Sequence, residues 1–455
     1  MPAIVRTFPA KPHYVKTDFT GDFFSLFAKI EAHTPTCFLL ESLGEENYDS
    51  RFSVIGFNPE VTYFPRGKNL VARRAEREDV FECENPYYEL RKLLPFAGLS
   101  RNYAGGLVGY LGYTAAPYLE PALQMHTDHD FPAFEFSLFT DGLLHDKLTG
   151  EITYFHFFEN RLSEIKKLES MKYAAGKTKA TFVNQSVDQT THARMVEQTK
   201  EEIIAGNTFQ CQIGLQLNYE VEGNWLNIYQ ALREINPSPH MYFMKFENTR
   251  RLLGASPELL YRQRQGEIES YPLAGTTRRG KTKAEDQQLV RELLSDPKEI
   301  AEHNMLVDLH RNDIGRVARY GSVKVRRIFD IKKFSHVQHI SSEVVGLLAK
   351  DQDMFTALAA SFPAGTLSGA PKIESMKIID RIENNARGPY GGAIGHFGVN
   401  GDCTFAIPIR TIFGADNKAF IRASGGVVYD STAEQEYQEI MNKLAATRKA
   451  LEQYS

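Results

Sequence analysis

Cysteine, tryptophan, long apolar runs and any excess of one charge sign are all scarce in this chain. Its four cysteines in 455 residues, Cys37, Cys83, Cys211 and Cys403, have neither the density of a disulfide framework nor the spacing of a zinc site. A reducing cytoplasm is the compartment they predict. No apolar stretch could span a bilayer, and the first residues lack the basic, apolar and small-residue succession of a secretory leader. The 53 basic and 57 acidic residues leave a formal charge of -4, which gives no bulk attraction to nucleic acid or to an anionic membrane. What remains is an ordinary globular composition, 42% apolar and 24% charged, on a chain long enough for two or three domains or one large one.

Residues 1 to 165 read as short strands and turns. Cys37 to Ser42, Phe52 to Gly56 and Ile152 to Phe158 are rich in aromatic and branched side chains and bounded by turn formers. Gly105 to Tyr113 is glycine-dense but lacks the GxGxxG order of a dinucleotide loop, which predicts a close-packed strand. A helical stripe over 161–175 is followed by a polar run from Ala174 to Thr191 with no period, predicted to be an exposed linker. A further helix is predicted from Thr190 or Thr191 to a stop at Gly206-Asn207. Beyond it strands and helices mix. The spacing predicts helices at Leu226 to Ile235, Ala284 to Leu309, Met354 to Ala360, Pro371 to Asn384 and Thr432 to Tyr454. Strands are predicted at Phe209 to Tyr219, His240 to Phe246, Leu252 to Gly254, Ser322 to Phe329, Gly392 to Phe397, Cys403 to Ile412 and Ala419 to Val428. Successive β-helix-β units are missing, so the expected class is α+β, with antiparallel sheets flanked by helices. Two parts are expected, 1–165 and 190–455.

Two predicted helices carry paired carboxylates: Glu299 and Glu302 in one, Glu436 and Glu439 in the other. Residues three apart share a helix face, so two such faces meeting across a cleft could hold one cation. An isolated Glu-x-x-Glu is most often simply solvated. Here Lys443 follows Glu439 by four residues, placing a cation beside the second pair. With no cysteine or clustered histidine, the donor set favours a hard ion, Mg2+, which completes its shell with water and an anionic substrate.

Several longer segments carry a resemblance. They are Ser270-Tyr271-Pro272-Leu273-Ala274-Gly275-Thr276, Ala301-Glu302-His303-Asn304-Met305-Leu306-Val307-Asp308-Leu309 with Arg311-Asn312-Asp313-Ile314-Gly315, and Ser335-His336-Val337-Gln338-His339. Phe362-Pro363-Ala364-Gly365-Thr366-Leu367-Ser368-Gly369-Ala370-Pro371-Lys372 and Arg387-Gly388-Pro389-Tyr390-Gly391-Gly392 complete the set. In this order, over residues 190 to 450, they resemble the chorismate-utilising enzymes, most closely the anthranilate synthase branch. The resemblance implies a large chorismate-binding fold and a Mg2+-dependent reaction of chorismate with ammonia that yields anthranilate and pyruvate. It also implies site residues. Glu302 and Glu439 would hold Mg2+, with Glu299 and Glu436 ligating directly or through water. Arg410 and Tyr390 would take the enolpyruvyl carboxylate, and the turn Ser424, Gly425 and Gly426 would close the cradle with backbone amides. Gly275 and Thr276 would line the ring, Thr366 would donate to a substrate oxygen, and Lys443 would stand beside the substrate. His339 would act near the departing C4 hydroxyl, with His336 in a structural role.

Two positions separate this branch from its neighbours. Ala274 stands where aminodeoxychorismate synthases commonly carry a lysine thought to attack the ring, and Gln210 where salicylate and isochorismate synthases carry the lysine that activates water. Neutral ammonia has its own lone pair and needs no base, so an amide at 210 could orient it. Two departures accompany the match: Cys211 to Gln216 replaces a more apolar run, and Ser424 replaces a glycine.

Leu39-Leu40-Glu41-Ser42 and Asn236-Pro237-Ser238-Pro239-His240-Met241 resemble the two halves of the family's tryptophan feedback site, with His240 in place of a tyrosine. The resemblance implies an L-tryptophan site at Ser42, Pro239, His240 and Met241. The chain has no glutaminase nucleophile context, so a glutamine amidotransferase subunit is the implied partner, in a hetero-oligomer. The rival functions are an aminodeoxychorismate or aminodeoxyisochorismate synthase and, from another class, a catalytically silent tryptophan sensor.

Overall fold

The computed structural model describes residues 8–19, 21–43, 51–75, 77–94, 103–333 and 337–455. Two sheets of 12 strands dominate it. The first sheet runs His13–Lys16, Glu151–His156, Asp141–Asp146, Phe52–Phe57, Cys37–Glu41 and His240–Phe246, then Arg250–Ser256, Thr411–Ala415, Lys418–Val427, Gln210–Gly223 and Thr178–Gln185. Its short extra strand, Gly369–Ala370, also pairs with Gln210–Gly223. The second sheet runs Leu273–Arg278, Val337–Leu347, Glu267–Ser270, Leu259–Arg264 and Cys403–Ala406, then Ala393–Gly398, Gly106–Leu111, Phe134–Phe139, Val61–Arg66, Asn69–Arg74 and Arg77–Glu82. Lys324–Lys333 adds to Val337–Leu347. All pairings among the described strands are antiparallel, and helices flank the sheets, as the α+β class requires. Both sheets mix strands from before residue 165 with strands from beyond residue 205.

Period-two alternation sorts side chains between two cores. In His240–Phe246, Tyr242, Met244 and Phe246 enter the core between the sheets. Met241 and Phe243 enter a second core, under the helices on the outer face of the first sheet. Trp225–Ile235, Gln189–Ile204 and the C-terminal helix Ala433–Glu452 close that second core with Leu226, Ile228, Val196, Ile440 and Leu444. The glycine-dense segment is a close-packed strand: a Cβ at Gly109 would lie 1.9 Å from the Glu135 carbonyl oxygen of the neighbouring strand.

Three predicted elements differ. The supposed linker contains a strand, Thr178–Gln185, paired along the edge of the first sheet with Gln210–Gly223; only Ala180 of its eight residues is buried, so no apolar alternation announced it. The predicted helix Ala284 to Leu309 is two helices, Lys283–Ser295 and Pro297–Gly315, divided by Asp296 in extended backbone at ψ 113°. Proline at N1 of the second cannot continue the first. Cys403 to Ile412 is also two strands, Cys403–Ala406 in the second sheet and Thr411–Ala415 in the first. The chain crosses between sheets through Pro408 and Arg410, the latter at φ 50°, a left-handed backbone uncommon for a side chain of that size.

Candidate active site

The floor of the site is the polar face of two paired strands. Along Gln210–Gly223, Cys211, Ile213, Leu215 and Leu217 enter the helix-covered core, which turns Gln210 and Gln212 to the opposite face and into a cavity of about 370 Å³ between the sheets. Antiparallel register sets Gln212 opposite Gly426 and Gly214 opposite Ser424. A Cβ at Gly426 would stand 2.6 Å from Gln210 Nε2 and 2.8 Å from Gln212 Nε2; only glycine leaves room for both amides.

The two carboxylate helices form one wall. Pro297–Gly315 seats His303, Leu306, Val307 and His310 toward the fold, anchored by His303 Nε2 at 2.7 Å from Ser342 Oγ and His310 Nδ1 at 2.6 Å from Ser270 Oγ. That leaves Glu299 and Glu302 facing the cavity. Gln210 Nε2 donates to Glu302 Oε1 at 3.2 Å. Burial, then the neighbouring Glu302, push the Glu299 carboxyl up, opposed by the Thr276 backbone N–H. On the C-terminal helix Glu436 accepts from Ser431 Oγ at 2.6 Å, and its other oxygen, Oε2, is buried without a hydrogen-bond partner. Burial likewise raises this carboxyl. Gly425 lies behind it, where a Cβ would approach Glu436 Oε2 to 2.4 Å. Lys443 Nζ sits 2.6 Å from Glu439 and donates to the Ser424 carbonyl at 2.8 Å. All four glutamates line the cavity, yet among the described residues no three His, Cys, Asp or Glu side chains are close enough together to form a metal cluster.

The opposite end is cationic. Arg410, held in the crossing between sheets, carries no hydrogen bond or ion pair on its guanidinium among the described residues; Glu258 acts on it through space. Tyr390 Oη lies 3.0 Å from Ser424 Oγ. Arg422 reaches the cavity from below, where it and Arg387 share the buried Glu383 carboxylate, Arg422 at 2.7 Å and Arg387 at 2.8 Å. His339 Nδ1 is 2.9 Å from Thr276 Oγ1. Burial, with Arg410 and Lys443, pulls its imidazole down to about 4, so it is neutral at pH 7.

Sequence inspection missed Glu258. It is buried at 7% exposure, accepts from Thr366 Oγ1 at 2.9 Å, and burial pushes its carboxyl up to about 7 despite Thr366, Lys443 and Arg410. The signal available was an acid set between Pro257 and the apolar run Leu259-Leu260-Tyr261. Gln212 was likewise noticed only as a departure from an apolar pattern. His336 lies outside the described residues.

A second cavity, of about 520 Å³, opens elsewhere between the sheets and brings Ser42, Pro239, His240 and Met241 together. The pairing of Met241 with Glu41 joins the two segments. The second sheet contributes Arg262, Arg264, His396 and Asp402 to its lining.

This architecture and cavity have counterparts. A family model described as chorismate binding enzyme matches residues 35–449. The chain is 56% identical to anthranilate synthase component 1 of Leptospira biflexa, over 98% of this chain and 97% of that protein. It is 42% identical to anthranilate synthase component 1 of Methanothermobacter thermautotrophicus, over 94% and 92%. The crystal structure of anthranilate synthase component I from Streptococcus pneumoniae superposes with a TM-score of 0.79 at 31% identity, covering 90% of this chain and 94% of that one. The menaquinone-specific isochorismate synthase of Escherichia coli, at 19% identity and a TM-score of 0.74, shares the fold. The chain therefore belongs to the chorismate binding enzyme family and, within it, to the anthranilate synthase component I members.

Proposed function

We propose that this chain is the synthase subunit that converts chorismate and ammonia to anthranilate, pyruvate and water. The observation that carries this assignment is the convergence on one cavity of Gln210, four glutamates, His339 and Arg410 around the short side chain of Ala274. Ala274 offers the ring no amine, so the nitrogen comes from outside the chain. Gln210 commits its NH2 to Glu302, leaving its carbonyl oxygen to accept from neutral ammonia.

Glu299, Glu302, Glu436 and Glu439 would hold one Mg2+, a purely oxygen donor set suited to a hard ion. The buried, unpartnered Oε2 of Glu436 supports this, because an uncompensated carboxylate oxygen in a low-dielectric wall is costly. When bound, the ion supplies positive charge to the ring carboxylate of chorismate. Arg410 presents its planar fork to the enolpyruvyl carboxylate, with Tyr390 and the Ser424, Gly425 and Gly426 segment beside it. Loss of the C4 hydroxyl as water needs a proton. Glu258, with a carboxyl near neutrality, is the better donor; neutral His339, bonded to Thr276, orients the leaving group or accepts a proton, and Thr366 fixes the carboxyl of Glu258. Gly275 and Thr276 line the ring, and Lys443 balances the carboxylate wall.

Ammonia would be delivered by a glutamine amidotransferase subunit. The 520 Å³ cavity at Ser42, Pro239, His240 and Met241 would take L-tryptophan as feedback inhibitor, in the part of the fold to which residues 1–165 contribute. Incubation of the purified chain with chorismate, ammonium and Mg2+, followed by anthranilate fluorescence and mass analysis, tests the central assignment. Anthranilate with equimolar pyruvate is expected; an amino-deoxy product that retains the enolpyruvyl group, or no turnover, overturns it.

A further inference from the structure

A hydrogen-bonded chain in the cavity floor fixes the direction of a proton. Ser424 Oγ lies 3.0 Å from Gln212 Oε1 and 3.0 Å from Tyr390 Oη. A carboxamide oxygen only accepts, so the single hydroxyl proton of Ser424 goes to Gln212. Tyr390 must then donate its own proton to Ser424, and it presents only lone pairs to the cavity. An anionic carboxylate arriving at this end meets no donor from Tyr390.

Gln212 supplies one. It is 7% exposed, its Oε1 is held by Ser424, and its Nε2 lies over Gly426 in the cavity with no hydrogen-bond partner among the described residues. That N–H opens onto the cavity, where a ligand carboxylate can accept from it. The neighbouring residues make space for this arrangement. Gly214 stands opposite Ser424 and Gly426 opposite Gln212, and a Cβ at 214 would come within 3.0 Å of Ser424 Cβ. The serine, the glutamine and the two glycines therefore form one fitted unit. Gln210, two residues away on the same strand face, is turned to Glu302 at the carboxylate wall, whereas Gln212 is tied to the Tyr390 end.

Resting on the synthase assignment, we propose that Gln212 is a substrate-binding residue whose amide N–H donates to the chorismate carboxylate at the Tyr390 and Arg410 end, in place of the tyrosine proton. Gln212→Met removes the donor; Gln212→Glu keeps the acceptor for Ser424 while replacing the donor with a charge. At saturating ammonia and Mg2+, the chorismate KM should rise about tenfold or more in Gln212→Met and further in Gln212→Glu, with kcat much less affected and the ammonia KM unchanged. Tyr390→Phe should raise the chorismate KM less than Gln212→Met does. Unshifted KM in the Gln212 variants, or a larger shift in Tyr390→Phe, overturns the assignment. Should Gln212→Met melt early, the isosteric Gln212→Glu decides. Calorimetric titration with chorismate, which needs no turnover, separates the two failures. A wild-type chain that binds chorismate without making anthranilate overturns the synthase assignment and still reports on Gln212 through the weakened binding of its variants. An active wild-type chain whose variants bind normally overturns the role of Gln212 alone.

Discussion

Burial decides which side chains of the reaction cavity carry a proton at neutral pH. His339 is pulled down to about 4 and stays neutral, whereas Glu258 is pushed up to about 7 and remains partly protonated. The histidine, which sequence resemblance singled out near the leaving hydroxyl, is thus the weaker acid donor, and the glutamate that no motif flagged is the stronger one. The sign follows directly: Glu258 holds its proton below about 7 and loses it as pH rises. At saturating ammonia, kcat/KM for chorismate, which reports the groups of the free enzyme, should therefore fall as pH increases through about 7. Glu258→Gln should lower kcat by about 10²- to 10⁴-fold, the usual contribution of general acid catalysis, and abolish that limb with little change in chorismate KM. A retained limb in the variant would assign the titration to another group.

Elements explain what could and could not be read in advance. His240–Phe246 was legible as a short aromatic and apolar run, buried on both faces, and the C-terminal helix was legible from the periodic apolar face that it buries. The four glutamates were legible as helix faces, but their convergence on one cavity is a tertiary fact. Arg410 was legible as a site residue inside one predicted strand, Cys403 to Ile412; its place in a crossing between sheets depends on the pairing of Cys403–Ala406 and Thr411–Ala415 with different partners. The link between Ser424 and Gln212 depends on register, which no local pattern encodes. The division of the helix at Asp296 was visible as Asp-Pro and was overridden by the apolar period running across it. Asp296 accepts from the Lys298 N–H at 2.8 Å and so caps the helix that carries Glu299 and Glu302. Asp296→Ala should destabilise the protein by about 1 kcal/mol through loss of this cap, seen as a lower unfolding midpoint in urea. A gain in stability would mean that a continuous helix is the preferred state.

The two cavities occupy the space between the same two sheets and share a physical connection. Thr404 and Ala406, on the strand that leaves the second sheet, line the 520 Å³ cavity. Ile409 and Arg410, a few residues on in the crossing, line the reaction cavity. Ala255, at the end of the strand Arg250–Ser256, donates its N–H to the Arg410 carbonyl at 3.2 Å, and that strand pairs with His240–Phe246, whose first residues line the larger cavity. A ligand that shifts either strand at the larger cavity therefore bears on the one guanidinium proposed to grip the enolpyruvyl carboxylate. Coupling of this kind is reciprocal in binding free energy. With tryptophan as the effector, saturating chorismate should weaken tryptophan binding by the same factor by which saturating tryptophan weakens chorismate binding. Calorimetric titration of each ligand with and without the other measures both factors in one protein. Arg410→Lys, which keeps the charge but lacks the planar fork, should weaken chorismate binding and reduce the coupling while leaving tryptophan affinity in the free protein unchanged. Full coupling in that variant would place the connection outside the crossing.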